Sequence, residues 1–329
     1  MNSNIVLGTS FSPEYATNLG CERPLELLGI INKELNIKDI RLGLRWDVVE
    51  RDKKISLEYY DKYLKYLLKN KIKVCLNIGP IKVFRWPEEH IPKYISVKRE
   101  EYITPDLDIA KYSYEYFEKL LILLKKEYGK KLDNVMFQIE NESFYRFGKL
   151  GLLMSQEYII GLLEILKEYF PNNRIMFDSS GRTNLKEIVN LFKDINDMRI
   201  YPYDSFVLGF NYYFKLPKRF QRDPLKGLSF SSMSIAKLHQ YQKELGFGLE
   251  ISEGQFEPWG KVITPGNSYM DFQYLIEKSS RYFPHNYPYK LIRLWGSEEF
   301  ALKIFNRKVN EEHKRIITSI LDNIKIFPY

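Results

Sequence analysis

Three glutamates stand where apolar stretches of the sequence end. Glu140 and Glu142 flank Asn141 at the end of the stretch "NVMFQIEN", residues 134–141, and Glu253 closes "GFGLEISE", residues 246–253. A pair of carboxyl groups suits cleavage of a glycosidic bond, because one acid protonates the leaving oxygen while one carboxylate meets the oxocarbenium-like carbon. Only different environments keep one carboxyl protonated and the other ionised near neutral pH. The sequence therefore indicates two-carboxylate chemistry.

The spacing of Glu140 and Glu142 does not decide which of them acts. Side chains alternate along a strand, so both point the same way unless the backbone turns there. For a single strand-end glutamate, a structural ion pair with Lys or Arg is the alternative interpretation. Arg41 also has two interpretations: it holds a nearby carboxylate ionised, or it forms an ion pair at the bottom of a barrel.

Aromatic residues gather near the predicted strand ends. Sugar rings present C–H faces that stack on aromatic planes, while their hydroxyls need amides and carboxylates such as Asn141 and Gln255. Aromatic residues make up 15% of the chain, so some of those near strand ends belong to the core or the surface. The candidates for sugar stacking are Trp46, Trp86, Tyr212, Tyr213, Trp259 and Trp295.

Short apolar stretches alternate with longer segments of helical period, which is typical of parallel β/α units. We expect one α/β domain over residues 1–329, a (β/α)8 barrel with its chemistry at the carboxyl ends of the strands. An open doubly wound sheet is the alternative, but "GTSFSPEYA" is a poor match to a Gly-rich phosphate turn. The predicted strands cover 4–11, 39–46, 72–79, 134–141, 174–180, 205–213, 246–253 and 290–296. The predicted helices cover 24–35, 56–71, 105–129, 155–170, 232–245, 268–283 and 310–327.

Composition limits the classes of partner. The net charge of +8 comes from 50 basic and 42 acidic residues that are interleaved, so we expect solvated helix faces and no nucleic-acid partner. There is no apolar run of about 18 residues and no signal-like N-terminus, so we expect a cytoplasmic protein without a membrane partner. Cys21 and Cys75 form no CxxC pair, which favours a reducing compartment without a disulfide. The oligomeric state stays open.

The four histidines have neither HxH nor HExxH spacing. We therefore expect no metal. Two-carboxylate chemistry requires no organic cofactor either, so we expect none.

Several motifs resemble those of the clan A glycoside hydrolases, the retaining barrel enzymes that include cellulases, β-galactosidases and β-glucosidases. "FQIENES" resembles the fourth-strand motif in which Asn precedes the acid/base Glu, which implies Asn141 and Glu142. "LEISEGQFEPWG" resembles the seventh-strand segment of the nucleophile, which implies Glu253. Ser143 stands where many members of the clan have Pro, a difference that we expect to change loop shape more than chemistry.

The resemblance extends over most of the chain. "IRLGLRWDVVE" is similar to the second-strand segment, which places the clan's arginine at Arg41. "LGFNYY" resembles the sixth strand, whose tyrosine contacts the nucleophile, and implies Tyr213 ahead of Tyr212. "RLWG" supplies Trp295, the residue that would form the floor of the sugar site.

The segment "RWPEEHIP" resembles a loop of a cellulase-like subgroup. That resemblance puts Arg85, Trp86 and Glu88 near the rim of the site.

The resemblance implies a carbohydrate substrate and a two-step displacement at β-glycosidic bonds. Glu253 would be the nucleophile and Glu142 the acid/base, while Asn141 would hold the sugar 2-hydroxyl. A transglycosylase would use the same residues, and a non-catalytic carbohydrate-binding barrel would bind sugar without releasing product. A basic nucleic-acid-associated protein is a third hypothesis, which predicts binding with a steep salt dependence.

Overall fold

The computed structural model describes residues 5–179, 185–213, 232–256, 283–284, 287 and 290–325. Its main feature is a closed parallel barrel of eight strands. The strands are β1 (Ile5–Phe11), β2 (Asp39–Gly43), β3 (Lys73–Asn77), β4 (Met136–Gln138), β5 (Ile175–Ser179), β6 (Phe206–Tyr212), β7 (Gly248–Gln255) and β8 (Lys290–Trp295). They are ordered β1-β8-β7-β6-β5-β4-β3-β2, so each strand pairs with its neighbours in sequence and β1 pairs with β8. The predicted barrel is confirmed.

The strands are buried on both faces, as a barrel surrounded by helices requires. Every residue of β2, β5 and β6 is buried. The predicted strands lie in the correct places but several are too long, since β4 contains only three residues of the predicted 134–141. The chain leaves the barrel soon after Gln138.

Helices lie between the strands and after the last of them, and six of the described helices match predicted ones. They are α1 (Pro13–Asn18), α2 (Pro24–Lys33), α3 (Trp46–Val49), α4 (Glu58–Lys69), α5 (Asp108–Tyr128), α6 (Gln156–Tyr169), α7 (Leu185–Asp197), α8 (Ser232–Leu245), α9 (Ser297–Phe305) and α10 (Glu311–Lys325). Helices α1, α3, α7 and α9 were not among the predicted ones. The predicted helix over 268–283 falls almost entirely outside the described residues.

Two short strand pairs lie outside the barrel. Glu50–Arg51 pairs antiparallel with Lys54–Ile55, and Tyr102–Ile103 pairs parallel with Leu153–Met154. Within the described ranges, no helix is both long and apolar enough to cross a membrane. Cys21 and Cys75 are both buried thiols.

The chain divides into two compact units. The first comprises residues 1–41, 209–239 and 249–329. Here β1 and β8 are joined by side chains as well as by their ladder, since the Thr9 hydroxyl donates to the carbonyl of Leu294 at 2.9 Å. The backbone N–H of Ser12 donates to Glu298 at 2.9 Å. These contacts hold the end of β1 to the end of β8 and to the start of α9.

The second unit comprises residues 42–208 and 240–248. It contains β3, β4 and β5, and its core includes Cys75, Met176 and Val207. Helices α5 and α6 pack together through a stack of Tyr114 on Tyr158, with ring centroids 5.4 Å apart. The single domain over residues 1–329 stays a prediction.

Candidate active site

Glu253 lies near the carboxyl end of β7, where the strand is irregular. Ile251 pairs with Ile292 and Gly254 with Leu294, so β7 has one more residue than β8 between these two pairs. A bulge of this kind bends the strand and redirects a side chain. The strict alternation of faces therefore does not hold at Ser252 and Glu253.

Both oxygens of the buried Glu253 carboxylate are held by other side chains. Arg41 Nη1 donates to Oε1 at 2.8 Å, and the Tyr213 hydroxyl donates to Oε2 at 2.7 Å. Arg41 is fully buried, and its Nη1 also lies 3.4 Å from Ser10 Oγ. The ion pair compensates for burying the charge, and the two contacts fix the orientation of the carboxylate.

Trp295 packs beside this group at the end of β8. Its ring meets the ring of Tyr213 edge to face, with centroids 6.4 Å apart. Gln255, the last residue of β7, is buried, and the backbone N–H of Phe256 donates to the carbonyl of Trp295 at 3.2 Å. We call Ser10, Arg41, Tyr213, Glu253 and Trp295 the Glu253 cluster.

Glu250 has a different partner. It pairs with Arg293, which also donates through Nε to Asp39 Oδ1 at 2.9 Å. All three side chains are buried, and they form a network of ion pairs with a structural role. Glu253, on the same strand, is held by Arg41.

The second group of charges follows β4. Glu140 and Glu142 have φ angles of 54° and 46°, in the left-handed region. Because the backbone has left the strand geometry, the side-chain alternation expected for this segment does not apply. Gly79 permits the close approach of the two segments, since a Cβ at that position would overlap the backbone of Glu140.

Glu140 is fully buried and binds the segment that follows β3. It accepts hydrogen bonds from the backbone N–H groups of Ile81, at 3.2 Å, and Lys82. Its third donor is the Tyr158 hydroxyl of α6, at 2.9 Å. Burial raises the pKa of Glu140 to about 7, although these hydrogen bonds act in the opposite direction.

Lys82 holds the backbone that carries Glu142. Its Nζ donates to the carbonyls of Glu142, at 3.1 Å, and Tyr145, at 2.9 Å. Burial lowers the pKa of Lys82, while Glu142, Glu88, Glu89 and Glu140 raise it in part. Glu142 itself is 6% exposed.

Asn141 has both ends of its amide bound. Its Nδ2 donates to Glu88 Oε2 at 2.8 Å, and its Oδ1 accepts from Gln138 Nε2 at 3.1 Å. Lys82, Glu88, Gln138, Glu140, Asn141 and Glu142 form what we call the Glu142 cluster. Sequence reasoning missed Lys82, which belongs to no periodic or motif-like pattern. It also missed Gln138, which lies inside "FQIENES" but has no role in the motif resemblance.

The tryptophans proposed for sugar stacking have very different surroundings. Trp86 is 65% exposed and meets Phe147 edge to face at 6.3 Å. Trp46 is fully buried at the start of α3, where it stacks on Tyr116 and donates its indole N–H to Glu50 at 2.6 Å. Trp259 lies outside the described residues.

Among the described residues, no group of three or more His, Cys, Asp or Glu side chains is arranged to hold a metal ion.

Comparison with solved structures finds barrels of the same kind. A GH10 endoxylanase retrieved from a sugarcane soil metagenome matches with a TM-score of 0.55 and 14% identity, over 89% of this chain and 85% of that chain. A hyperthermophilic β-glucosidase mutant matches with a TM-score of 0.56 and 14% identity, over 90% of this chain and 91% of that chain. The intracellular xylanase TsXylA of Thermoanaerobacterium saccharolyticum was solved as a point mutant in complex with xylotriose. It matches with a TM-score of 0.53 and 10% identity, over 89% of this chain and 86% of that chain.

The chain shares the barrel fold of these glycosidases. At identities of 10–14% the likeness concerns the fold, and at that level the resemblance to the clan A enzymes is confirmed. No protein-family model and no curated protein matches the sequence.

Proposed function

We propose that the protein is a retaining glycoside hydrolase that cleaves β-glycosidic bonds, with Glu253 as nucleophile and Glu142 as acid/base. The observation that carries the proposal is the pair of contacts on Glu253, from the Arg41 guanidinium and the Tyr213 hydroxyl. A nucleophilic carboxylate must be held with one oxygen aimed at a single carbon atom. Hydrogen bonds to both oxygens of a buried carboxylate restrict it in this way.

In the first step, an oxygen of Glu253 attacks the anomeric carbon while the bond from that carbon to the leaving oxygen breaks. Glu142 donates its proton to the leaving oxygen, and a glycosyl ester forms on Glu253. In the second step, Glu142 takes a proton from water, which attacks the same carbon and releases Glu253. Two inversions give net retention of the anomeric configuration.

Several neighbours of the two glutamates would take part in binding the sugar. In this proposal Asn141 holds the 2-hydroxyl, Tyr213 orients Glu253, and Trp295 and Gln255 contact the ring and its hydroxyls. Trp86, with most of its surface exposed, would stack on a sugar ring at the rim. The Trp46 ring is fully buried, so it is not accessible for stacking on a sugar. A sugar contact by Trp259 stays a prediction.

The experiment is a screen of p-nitrophenyl β-xylosides and β-glucosides, chosen because solved structures of the same fold are named as xylanases and a β-glucosidase. We expect hydrolysis with retention of the anomeric configuration. ¹H NMR identifies the anomer that forms first and so measures the retention. Glu253→Gln should lower kcat by on the order of 10³-fold or more. Glu142→Gln should have an effect of the same order when the aglycone needs protonation.

Other outcomes would select the alternatives. Binding without product release, unaffected by Glu253→Gln, would indicate a carbohydrate-binding protein. Transfer of the glycosyl group to an added sugar in preference to water would indicate a transglycosylase that uses the same residues.

A further inference from the structure

The amide of Asn141 has a determined orientation. Glu88 accepts from its nitrogen and Gln138 donates to its oxygen, at 2.8 Å and 3.1 Å. A reversed amide would face its oxygen to the Glu88 carboxylate and its N–H groups to the Gln138 amide nitrogen, so both contacts would become repulsive. All three side chains are 3% exposed or less, so water does not readily replace either bond.

Glu88 is itself held in a tight backbone turn. Its N–H donates to the carbonyl of Arg85 at 2.9 Å, its carbonyl accepts from Val83 at 3.0 Å, and its φ angle is 72°. Lys82 and Glu89 form an antiparallel bridge across the same turn. The carboxylate that binds Asn141 therefore stands on a fixed backbone.

The neighbouring Glu89 fastens this turn to the segment that follows Glu142. Its carboxylate accepts backbone N–H groups from Leu150, at 3.2 Å, and Gly151, at 2.9 Å. Glu88 and Glu89 are thus two buried glutamates on one turn with different targets. One binds the Asn141 side chain, and the other binds backbone.

A carboxylate at position 88 has a specific advantage over an amide. Burying a charge costs more than burying a neutral amide of the same size, a cost that the nearby Lys82 ammonium offsets in part. A carboxylate only accepts hydrogen bonds, whereas a glutamine rotates to present either its oxygen or its nitrogen. Glu88 therefore enforces one orientation of Asn141, and Gln at this position would enforce it less strictly.

We propose that Glu88 is a positioning residue that sets the direction in which Asn141 hydrogen-bonds the 2-hydroxyl of the substrate sugar. The proposal rests on the proposed function and adds a determinant of specificity at the 2-position. It requires that the effect of Glu88 on turnover depend on the 2-hydroxyl and on Asn141.

The kinetic test compares the best aryl β-glycoside of the screen with its 2-deoxy analogue. Glu88→Ala should lower kcat/KM for the 2-hydroxy substrate about 10- to 100-fold, because a small misplacement of a substrate-binding group has effects of this size. The loss with the 2-deoxy substrate should be within about threefold. Glu88→Gln should fall between the parent protein and Glu88→Ala. Adding Glu88→Ala to Asn141→Ala should cause no further loss.

Glu89→Ala is the matched control, since it removes a buried glutamate of the same turn that does not bind Asn141. It should affect both substrates equally. If Glu88→Ala also lowered kcat/KM equally for the two substrates, the proposal would be overturned. Such a result would indicate that Glu88 has only a structural role.

A second measurement does not need turnover. With ¹⁵N-labelled asparagine, the Asn141 side-chain amide protons should exchange slowly with solvent in the parent protein and in Glu89→Ala. They should exchange much faster in Glu88→Ala and moderately faster in Glu88→Gln. Unchanged exchange in both Glu88 variants would contradict the positioning role. If the protein hydrolysed no glycoside, the proposed function would be contradicted. The exchange measurement would still decide whether Glu88 orients the Asn141 amide.

Discussion

Arg41 and Glu253 form a buried ion pair, with Nη1 of the guanidinium 2.8 Å from Oε1 of the carboxylate. The side chains are 0% and 5% exposed, and 212 residues separate them in the sequence. The pair joins the second strand of the barrel to the seventh. Its burial means that neither charge can be removed without leaving the other in a medium that solvates it poorly.

Arg41→Met should therefore lower the free energy of unfolding by about 3–5 kcal/mol, measured by urea denaturation. Lys119→Met is the control, because Lys119 pairs with Glu115 on the surface, with both side chains more than half exposed. That variant should change the free energy of unfolding by less than about 1 kcal/mol. Adding Glu253→Gln to Arg41→Met should recover part of the loss. Equal effects of Arg41→Met and Lys119→Met would contradict the assigned ion pair.

Tyr213→Phe removes the hydroxyl that lies 2.7 Å from Glu253 Oε2. We expect kcat to fall about 10- to 100-fold, the range for a hydrogen bond to a charged group, with little change in the fold. Tyr201→Phe removes another buried hydroxyl, which donates to the backbone carbonyl of Phe170 at 3.0 Å. It should leave kcat unchanged. If the two variants had equal kcat values, Tyr213 would have no specific role at Glu253.

Glu140 and Glu142 should differ in what they contribute to activity. Glu140→Gln keeps the shape of a side chain that binds backbone N–H groups, whereas Glu142→Gln removes the proposed proton donor. We expect Glu140→Gln to lose much less activity than Glu142→Gln on a substrate with a poor leaving group. Addition of azide should restore turnover of Glu142→Gln with an activated aryl glycoside, because a small anion replaces the activated water. Azide rescue of Glu140→Gln instead would reverse the assignment.

The raised pKa of Glu140 gives stability a pH dependence. Its pKa lies at about 7 in the folded protein against an ordinary value of 4.5, so the folded state binds the proton more tightly than the unfolded state. Stability from this group is present below pH 4.5 and is lost as the pH rises towards 7. The free energy of unfolding of the parent protein, relative to Glu140→Gln, should fall by roughly 2–3 kcal/mol between about pH 5 and 8. A difference that is constant over this range would show that the pKa of Glu140 is not raised.

The barrel was predictable because apolar β-rich stretches and helical periods recur along the chain. The order of the strands and their closure follow from that alternation. Helices α7 and α9 were missed, although Leu185, Ile188, Val189 and Phe192 have the spacing of an apolar helix face. The lengths of strands were less predictable, as β4 illustrates.

The surroundings of the glutamates were not predictable from periodicity. Glu140 and Glu142 both lie in the left-handed region, and Glu253 lies at an irregularity of β7, so alternation fails at all three. The partners of Glu140 are 18 to 59 residues away, and no local pattern indicates them. Motif resemblance selected Arg41 and Tyr213, and the structure brings both to Glu253.

Covalent trapping tests most directly whether Glu253 attacks the sugar. A 2-deoxy-2-fluoro β-glycoside with an activated leaving group slows breakdown of the glycosyl ester more than its formation, so the ester accumulates. Incubation of the parent protein with such β-xylosides and β-glucosides should add one fluoroglycosyl group by intact mass. Peptide mapping should place that group on Glu253, and Glu253→Gln should gain no mass. An adduct on Glu250, or hydrolysis of the parent glycoside with inversion and no adduct, would contradict the role of Glu253 as nucleophile.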